Sequence, residues 1–318
     1  MKLVSVSRWT ALVSVPLLAA AALAADYPQQ PISLVVGYGA GGGTDVCNRA
    51  LALDIGKQLG QTVVVENRPG AGSSLSVGYI IRQKPDGYNI ASLSTGGVLN
   101  QVLTPSTNYD VTTDLTPVAM VAEYQVGLLV RADSPYQSVE DLIKASKEKG
   151  EMTFSTAGVG TPQHLTTERL AQEVGTKWTH VPYKSGPETI TALMRGDVDF
   201  MAQTAEWVPY VRDGRLRLLA VYTGERMKGF DAPTLKELGY DLVAPSILGV
   251  VGPKDMDPAH VKTLQDAFEK ATKTPEFVQC SDQFGLKANF LNAQDFGAHL
   301  KDTLTTWRPL LEQYATKE

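Results

Sequence analysis

The stretch from Leu34 to Asp45, LVVGYGAGGGTD, decides how this chain is interpreted. An apolar strand pattern runs into glycines spaced as G-x-G-x-x-G between Gly37 and Gly42, and a helical pattern begins at Thr44. This spacing is typical of a dinucleotide-binding turn, where glycines let the backbone approach a pyrophosphate. The underlying physics is broader, because every helix start presents unpaired, partly positive N–H groups that also suit a carboxylate.

The first 24 residues have the pattern of a secretory signal peptide. Lys2 and Arg8 supply positive charge around the start of the apolar run WTALVSVPLLAAAALA, which ends in small residues that fit a cleavage site. A membrane-spanning helix is the alternative, but the run is shorter than the roughly 20 residues that a bilayer requires. We therefore predict a Sec-type signal peptide at 1–24 and a mature chain in the periplasm.

Charge and length exclude several classes of protein. Without the leader, 27 basic residues face 34 acidic ones, which gives a net charge of −7. Such a surplus of acid argues against nucleic acid or an anionic membrane as the partner. The remaining 294 residues exceed what one hydrophobic core usually serves, so two lobes are expected.

The two cysteines, Cys47 and Cys280, leave two alternatives open. They form a disulfide, which an oxidising compartment permits, or they are two buried small apolar residues. Neither belongs to a Cys-x-x-Cys motif, so redox or zinc chemistry has little support. We predict no metal site and no cofactor.

Strand and helix patterns alternate along the chain, which predicts an α/β fold with right-handed crossovers. Two similar strand patterns, GLLVRADSP and SILGVVGP, bracket a complete α/β block and indicate that the chain crosses twice between lobes. We predict a first lobe of residues 26–124 plus 245–318 and a second lobe of residues 125–244. Each lobe is expected to have a central, mainly parallel sheet flanked by helices, with a ligand cleft between the lobes.

A dinucleotide is the weaker interpretation of the glycine loop. Glu66 ends the next strand, where an acidic residue would bind the ribose, but Arg68 lies close enough to form a local ion pair with it. Export in an unfolded state also separates the chain from cytoplasmic nucleotides. A P-loop requires a lysine where Gly43 stands. An exported nucleotide-dependent oxidoreductase is the remaining enzyme alternative.

Two similar helix starts occur in the predicted second lobe. The segment STAGVGTPQH, residues 155–164, follows a strand and places Thr161 at the N-cap and Pro162 at the first helical position. Ser185-Gly186-Pro187 opens the next helix in the same way. Ligands of open α/β sheets bind at the carboxyl edge of the strands, so helix starts from both lobes are expected to converge on one anion without any arginine.

Catalytic motifs are lacking in the sequence. It contains no G-x-S-x-G and no H-E-x-x-H. His164 is assigned to the site only because it falls in the first helical turn. Asp197 and Asp199 lie at the wrong end of their strand for the cleft, and Tyr183 ends a strand at the edge of the cleft. We therefore predict a binding protein and not an enzyme.

Landmarks along almost the whole mature chain resemble one family, the extracytoplasmic solute receptors of tripartite tricarboxylate transporters. They are YPQQPISLVVGYGAGGGTD, VVVENRPGAGSS, KPDGYNI, TPVAMVAEYQVGLLVRADSP, STAGVGTPQHL, HVPYKSGPETITALMRGDVDFM, RLRLLAVYT and SILGVVGP. The resemblance implies a type II periplasmic binding protein that encloses a small carboxylate between two lobes. It also implies delivery of the ligand to membrane permease subunits. We expect a monomer, and a ligand-sensing role with a signalling protein is an alternative that shares the same architecture.

The resemblance and the helix starts together define a predicted ligand site. Carried over by position, the resemblance assigns to it Tyr38, Gly42, Gly43, Ser94, Thr95, Gly160, Thr161 and His164. The pattern of loops and strand ends adds Ala157, Gln163, Tyr183 and Gln203.

The chain departs from the family at two places. The family usually has Pro-Phe-Ala-Pro-Gly-Gly where this chain has GYGAGG at 37–42, so the aromatic wall of the site differs. It often has Asp-Ser where this chain has Gln203-Thr204. A neutral amide at that position weakens an amino-acid ligand and favours a dicarboxylate, a tricarboxylate or an aromatic acid.

Overall fold

The computed structural model describes residues 27–104, 107–244 and 246–315 of the chain. The predicted signal peptide at 1–24 lies outside the described residues. Within those ranges, no helix combines the length and the apolar character needed to cross a bilayer.

Strands and helices alternate through most of the described chain. The strands are β1 (Ile32–Val36), β2 (Val63–Asn67), β3 (Asn89–Ser94), β4 (Leu115–Tyr124), β5 (Val126–Arg131), β6 (Met152–Thr156), β7 (Trp178–Pro182), β8 (Phe200–Thr204), β9 (Leu216–Val221), β10 (Ile247–Pro253) and β11 (Leu286–Leu291). The helices are α1 (Gly43–Leu59), α2 (Ser74–Ile80), α3 (Thr95–Leu103), α4 (Val139–Lys149), α5 (Pro162–Val174), α6 (Gly186–Arg195), α7 (Val208–Arg212), α8 (Pro258–Ala271), α9 (Pro275–Phe284) and α10 (Ala293–Ala315).

The strands form two sheets, which confirms the predicted two-lobed α/β architecture. A six-stranded sheet has the order β11-β4-β10-β3-β1-β2, and a five-stranded sheet has the order β7-β6-β8-β5-β9. We call the six-stranded sheet with its helices the first lobe, and the five-stranded sheet with its helices the second lobe. The chain passes between the lobes through Gln125 and again between β9 and β10. The exact residue boundaries of the lobes stay a prediction.

Both sheets are mixed, so the expectation of mainly parallel sheets is wrong. In the first lobe β1 pairs in parallel with β2 and β3, whereas β10 is antiparallel to β3 and β4, and β11 is antiparallel to β4. In the second lobe β6 is parallel to β7 and β8, whereas β5 is antiparallel to β8 and β9. Parallel pairing needs a crossover that returns the chain to the same edge. The strands β4, β5 and β10 adjoin the two passages between the lobes. Within the described chain, no crossover returns to the same edge of the same sheet there, so these strands pair antiparallel with their neighbours.

Helices cover both faces of each sheet. In the first lobe α1, α8 and α9 pack on one face around Leu51 and Phe268, and α2, α3 and α10 pack on the other face around Phe296. In the second lobe α4 and α5 pack on one face, and α6 and α7 on the other. Each lobe is therefore a three-layer unit with its own core.

The two cysteines form a disulfide, which settles the alternative that the sequence leaves open. Cys47 of α1 and Cys280 of α9 are bonded, with their Cα atoms 5.6 Å apart. Both helices lie on the same face of the first sheet, so the bond ties the C-terminal part of the chain to the N-terminal part within one lobe.

Candidate functional site

A narrow cavity lies between the two lobes. Its walls include the starts of four helices, two from each lobe. These lining residues are Gly42 and Thr44 at α1, Ser94 and Gly96 at α3, Pro162 and Gln163 at α5, and Ser185 and Gly186 at α6. Among the described residues that line the cavity there is no lysine, arginine or histidine.

The four helix starts meet because of the strand order. The strands β1 and β3 are parallel neighbours in the first lobe, and each is followed by a helix, α1 and α3 respectively. In the second lobe β6 and β7 are parallel neighbours that precede α5 and α6. Carboxyl ends of parallel strands lie at one edge of a sheet, so each lobe presents two helix starts to the other lobe. Their N–H groups make this part of the cavity wall partly positive without any basic side chain.

Half of the predicted site residues line this cavity. They are Tyr38, Gly42, Ser94, Ala157, Gln163 and Gln203. The hydroxyl of Tyr38 lies 3.0 Å from Oγ of Ser94, and Ser94 Oγ lies 3.0 Å from Oγ of Ser73. Burial raises the pKa of Tyr38 to about 12, so its hydroxyl stays protonated and able to donate a hydrogen bond at neutral pH.

Other predicted residues lie just behind the wall of the cavity. Thr95 uses its hydroxyl to accept a hydrogen bond of 3.1 Å from the amide of Ile247, and so joins α3 to β10. Thr161 occupies the N-cap position of α5 as predicted, but its hydroxyl donates to the carbonyl of Gly158 at 2.9 Å instead of capping the helix. Tyr183 lines a neighbouring cavity.

His164 packs against another histidine behind the start of α5. Its Nδ1 accepts a hydrogen bond from the amide of Gly160 at 3.2 Å, and its ring stacks on His180 with centroids 4.0 Å apart. Burial lowers the pKa of His164 to about 4. The ring is therefore neutral at physiological pH and provides no positive charge for a ligand.

The glycine loop of the first lobe holds carboxylates that belong to the protein itself. The amide of Gly41 donates to Asp45 at 2.9 Å, and the amide of Gly43 donates to Glu206 of the second lobe at 3.2 Å. The loop thus acts as the anion cradle that its glycines suggest, filled by two internal acids. Glu66 makes the predicted local contact with Arg68, at 3.2 Å.

Glu206 is the site residue that the sequence prediction misses. Its side chain lies in the cavity wall and is only 7% exposed. Its Oε2 accepts hydrogen bonds from the hydroxyl of Thr204 at 2.7 Å and from Nε2 of Gln203 at 3.4 Å. Burial raises the pKa of Glu206, against the opposing effect of these hydrogen bonds. The segment QTAEWVP carries no local signal that its acid will reach the cleft.

These features define a class of protein: two α/β lobes that close over a cavity walled by helix starts make a solute-binding protein. A family model described as "Tripartite tricarboxylate transporter family receptor" matches residues 47–315. The chain belongs to this family, as the sequence landmarks predict.

Known proteins similar to the chain agree with that assignment. A UPF0065 protein of Cupriavidus necator is 38% identical over 306 residues, which cover 96% of this chain and 93% of the relative. The protein BugT of Bordetella pertussis is 32% identical over 308 residues, or 94% of each chain. Among solved structures, the periplasmic binding protein BugD superimposes with a TM-score of 0.85 at 27% identity, covering 91% of this chain and 98% of BugD. An R. palustris protein with adipate also gives 0.85, at 26% identity and with 92% and 99% coverage.

Proposed function

We propose that this protein is a non-enzymatic periplasmic receptor that encloses a small carboxylate between its lobes and delivers it to the membrane permease subunits of a tripartite transporter. The observation that carries the proposal is the cavity walled by four helix starts and free of basic side chains among its described lining residues. Helix starts suit an anion that must be released again, because they hold it without a fixed cation. The related R. palustris protein with adipate supports a carboxylate as the ligand class.

The strength of such a site is adequate for a receptor. A partly buried helix start contributes up to about 2 kcal/mol toward an anion. Glu206 lies at the starts of α1 and α6, so the starts of α3 and α5 remain for the ligand. At about 1–2 kcal/mol each they supply roughly 2–4 kcal/mol, which tightens Kd by about 30- to 10³-fold relative to a site without them.

Contacts between the lobes around the cavity suit a receptor that closes on its ligand. Nδ2 of Asn100 in α3 donates to the carbonyl of Val159 in the second lobe at 3.3 Å, and the amide of Gly39 donates to the carbonyl of Lys184 at 3.4 Å. A ligand that touches helix starts of both lobes binds the closed form better than an open one. Its binding energy therefore shifts the population toward closure.

A binding screen with a matched pair of variants tests the proposal. The purified protein is titrated with succinate, adipate, citrate and benzoate by thermal shift and by calorimetry. Ala157 lines the cavity, whereas Ala40 is exposed on the glycine loop, so Ala157→Leu fills the site and Ala40→Leu adds the same atoms outside it. We expect at least one acid to stabilise the wild-type protein, Ala157→Leu to abolish the effect, and Ala40→Leu to preserve it.

Two outcomes would refute the receptor model. Loss of binding in Ala40→Leu but not in Ala157→Leu would move the site elsewhere, and turnover of a bound acid would make the protein an enzyme. Nucleotide absorbance retained through purification would favour the exported oxidoreductase instead. Uptake of the bound acid by cells with and without the receptor gene tests delivery to a permease, and uptake that does not depend on the receptor would favour a signalling role.

A further inference from the structure

The carboxylate of Glu206 lies between two helix starts, at a place that would suit the carboxylate of a ligand. It accepts a hydrogen bond from the amide of Gly43 at the start of α1. A Cβ atom added to Gly186, at the start of α6, would lie 2.7 Å from Oε1 of Glu206. A Cβ atom added to Gly42 would lie 3.6 Å from the same oxygen. Glycines at both helix starts therefore let this acid fit closely between the lobes.

The surroundings of Glu206 leave its charge without a cation. Its partners are the amide of Gly43, the hydroxyl of Thr204 and the side-chain amide of Gln203, all of them uncharged. The two tyrosines nearby, Tyr38 and Tyr124, are both held neutral by burial, which raises their pKa values. The described lining residues include no basic side chain. Because these residues place no cation beside it, burial raises the pKa of Glu206, and a positively charged group bound in the cavity would stabilise its ionised form.

Glu206 discriminates between ligands. A dicarboxylate that uses the starts of α3 and α5 for one carboxylate brings its second carboxylate toward Glu206, and this second negative charge raises the pKa of Glu206 further instead of compensating its charge. A ligand with a protonated amine at that end instead forms a charge-assisted hydrogen bond with Glu206. A buried acid without a cation beside it thus favours ligands that carry one charge of each sign.

We propose that Glu206 is the specificity-determining residue of this site, and that it selects a carboxylate that also carries a positively charged nitrogen over a dicarboxylate of similar length. The inference rests on the proposed function and narrows its ligand class. It reverses the expectation drawn from Gln203 in the sequence, because the tertiary structure brings an acid from three positions further along into the same cavity.

Pairs of ligands that differ at one end provide the test. Adipate is compared with 6-aminohexanoate, and succinate with 4-aminobutyrate, by calorimetry at pH 7.5. For at least one pair we expect the wild-type protein to bind the amino acid about tenfold or more tightly than the dicarboxylate, since a hydrogen bond to a charged group has at least this effect. Glu206→Gln should weaken the amino acid by about tenfold or more and leave the dicarboxylate unchanged or bound more tightly.

Two further variants act as controls. Glu206→Asp keeps the charge and should retain the preference for the amino acid, which makes the test independent of whether Glu206→Gln folds. Glu188 is an exposed acid in the first turn of α6 that does not line the cavity, so Glu188→Gln should leave the selectivity ratio unchanged. Urea unfolding of each variant confirms that the fold is intact.

The outcomes separate this inference from the proposed function. The selectivity inference is overturned if the wild-type protein binds the dicarboxylate more tightly than its amino-acid partner. It is also overturned if the ratio of the two Kd values is the same in Glu206→Gln. Neither result contradicts the proposal of a carboxylate receptor. Absence of binding by these four ligands and by citrate and benzoate overturns both. The selectivity inference is supported if the preference for the amino acid is lost in Glu206→Gln and retained in Glu206→Asp and Glu188→Gln.

Discussion

Replacing Gly160 with alanine should weaken ligand binding by interfering with closure of the lobes. Gly160 belongs to the second lobe, and a Cβ atom at this position would overlap the side-chain amide of Asn100 in the first lobe. Its φ of +73° lies in the left-handed region, which adds strain to alanine whatever the position of the lobes. Only the overlap with Asn100 depends on closure, so only this part changes ligand affinity.

The size of the effect follows from the two contributions. Left-handed strain costs roughly 1–2 kcal/mol and should appear in urea unfolding without ligand. Overpacking of a close contact costs about 1–3 kcal/mol, which predicts an increase in Kd of about 5- to 150-fold. Asn100→Ala alone loses the hydrogen bond to Val159 across the lobes, worth about 0.5–1.5 kcal/mol, and should raise Kd about 2- to 12-fold.

A double-mutant cycle distinguishes the overlap from the strain. Calorimetry on the wild type, Gly160→Ala, Asn100→Ala and the double variant uses the acid that binds the wild type most tightly. In the Asn100→Ala background the overlap is removed, so Gly160→Ala should change Kd less than twofold there. An equal effect of Gly160→Ala in both backgrounds would refute the reasoning, because the loss would then come from the loop alone and not from contact between the lobes.

Three further predictions concern stability, each measured by urea unfolding. Gly186→Ala places a methyl group against the buried Glu206 and should lower the free energy of unfolding by about 1–3 kcal/mol. Its control Gly78→Ala, at an open position of α2, should raise the free energy of unfolding by about 0.5–1 kcal/mol. Equal changes in the two variants would contradict the close packing at Gly186. Replacing Cys47 and Cys280, 233 residues apart, with serine should cost about 2–5 kcal/mol, and an unchanged midpoint would count against a stabilising bond. Burial lowers the pKa of His164 to about 4, so the unfolded chain binds a proton that the native chain excludes as pH falls below about 6.5. His164 alone should lower stability by about 1–2 kcal/mol from pH 7 to pH 5, and His180, whose pKa burial also lowers, should add to this drop. The drop should be smaller in His164→Gln than in the wild type.

Elements with local signals could be predicted from the sequence. Pro162 at the first position of α5 is one such signal, and so is Ser185 before α6, whose Oγ accepts from the amide of Glu188. These signals depend only on neighbouring residues. They also predicted two of the four helix starts that line the cavity.

Helix α3 could not be predicted, because its sequence opposes the structure that it adopts. Gly96 and Gly97 lie in its first turn, and each lowers helix propensity by about 1 kcal/mol relative to alanine. The glycines are needed for packing: a Cβ atom on Gly96 would lie 2.5 Å from the carbonyl of Gly72, and one on Gly97 would lie 2.9 Å from Oγ of Ser73. Tertiary packing thus overrides the local preference. Helix α9 and strand β11 were likewise not predicted from the sequence.

The chain by itself determined the α/β alternation, the glycine loop as an anion cradle and the family, since these follow from periodicity and from residues close together in sequence. Only the tertiary structure brought a second acid, Glu206, to the loop beside the local Asp45. Glu206 and Gly43 are 163 residues apart and belong to different lobes. No local pattern links them, because their hydrogen bond exists only when the two sheets face each other and exclude water between them.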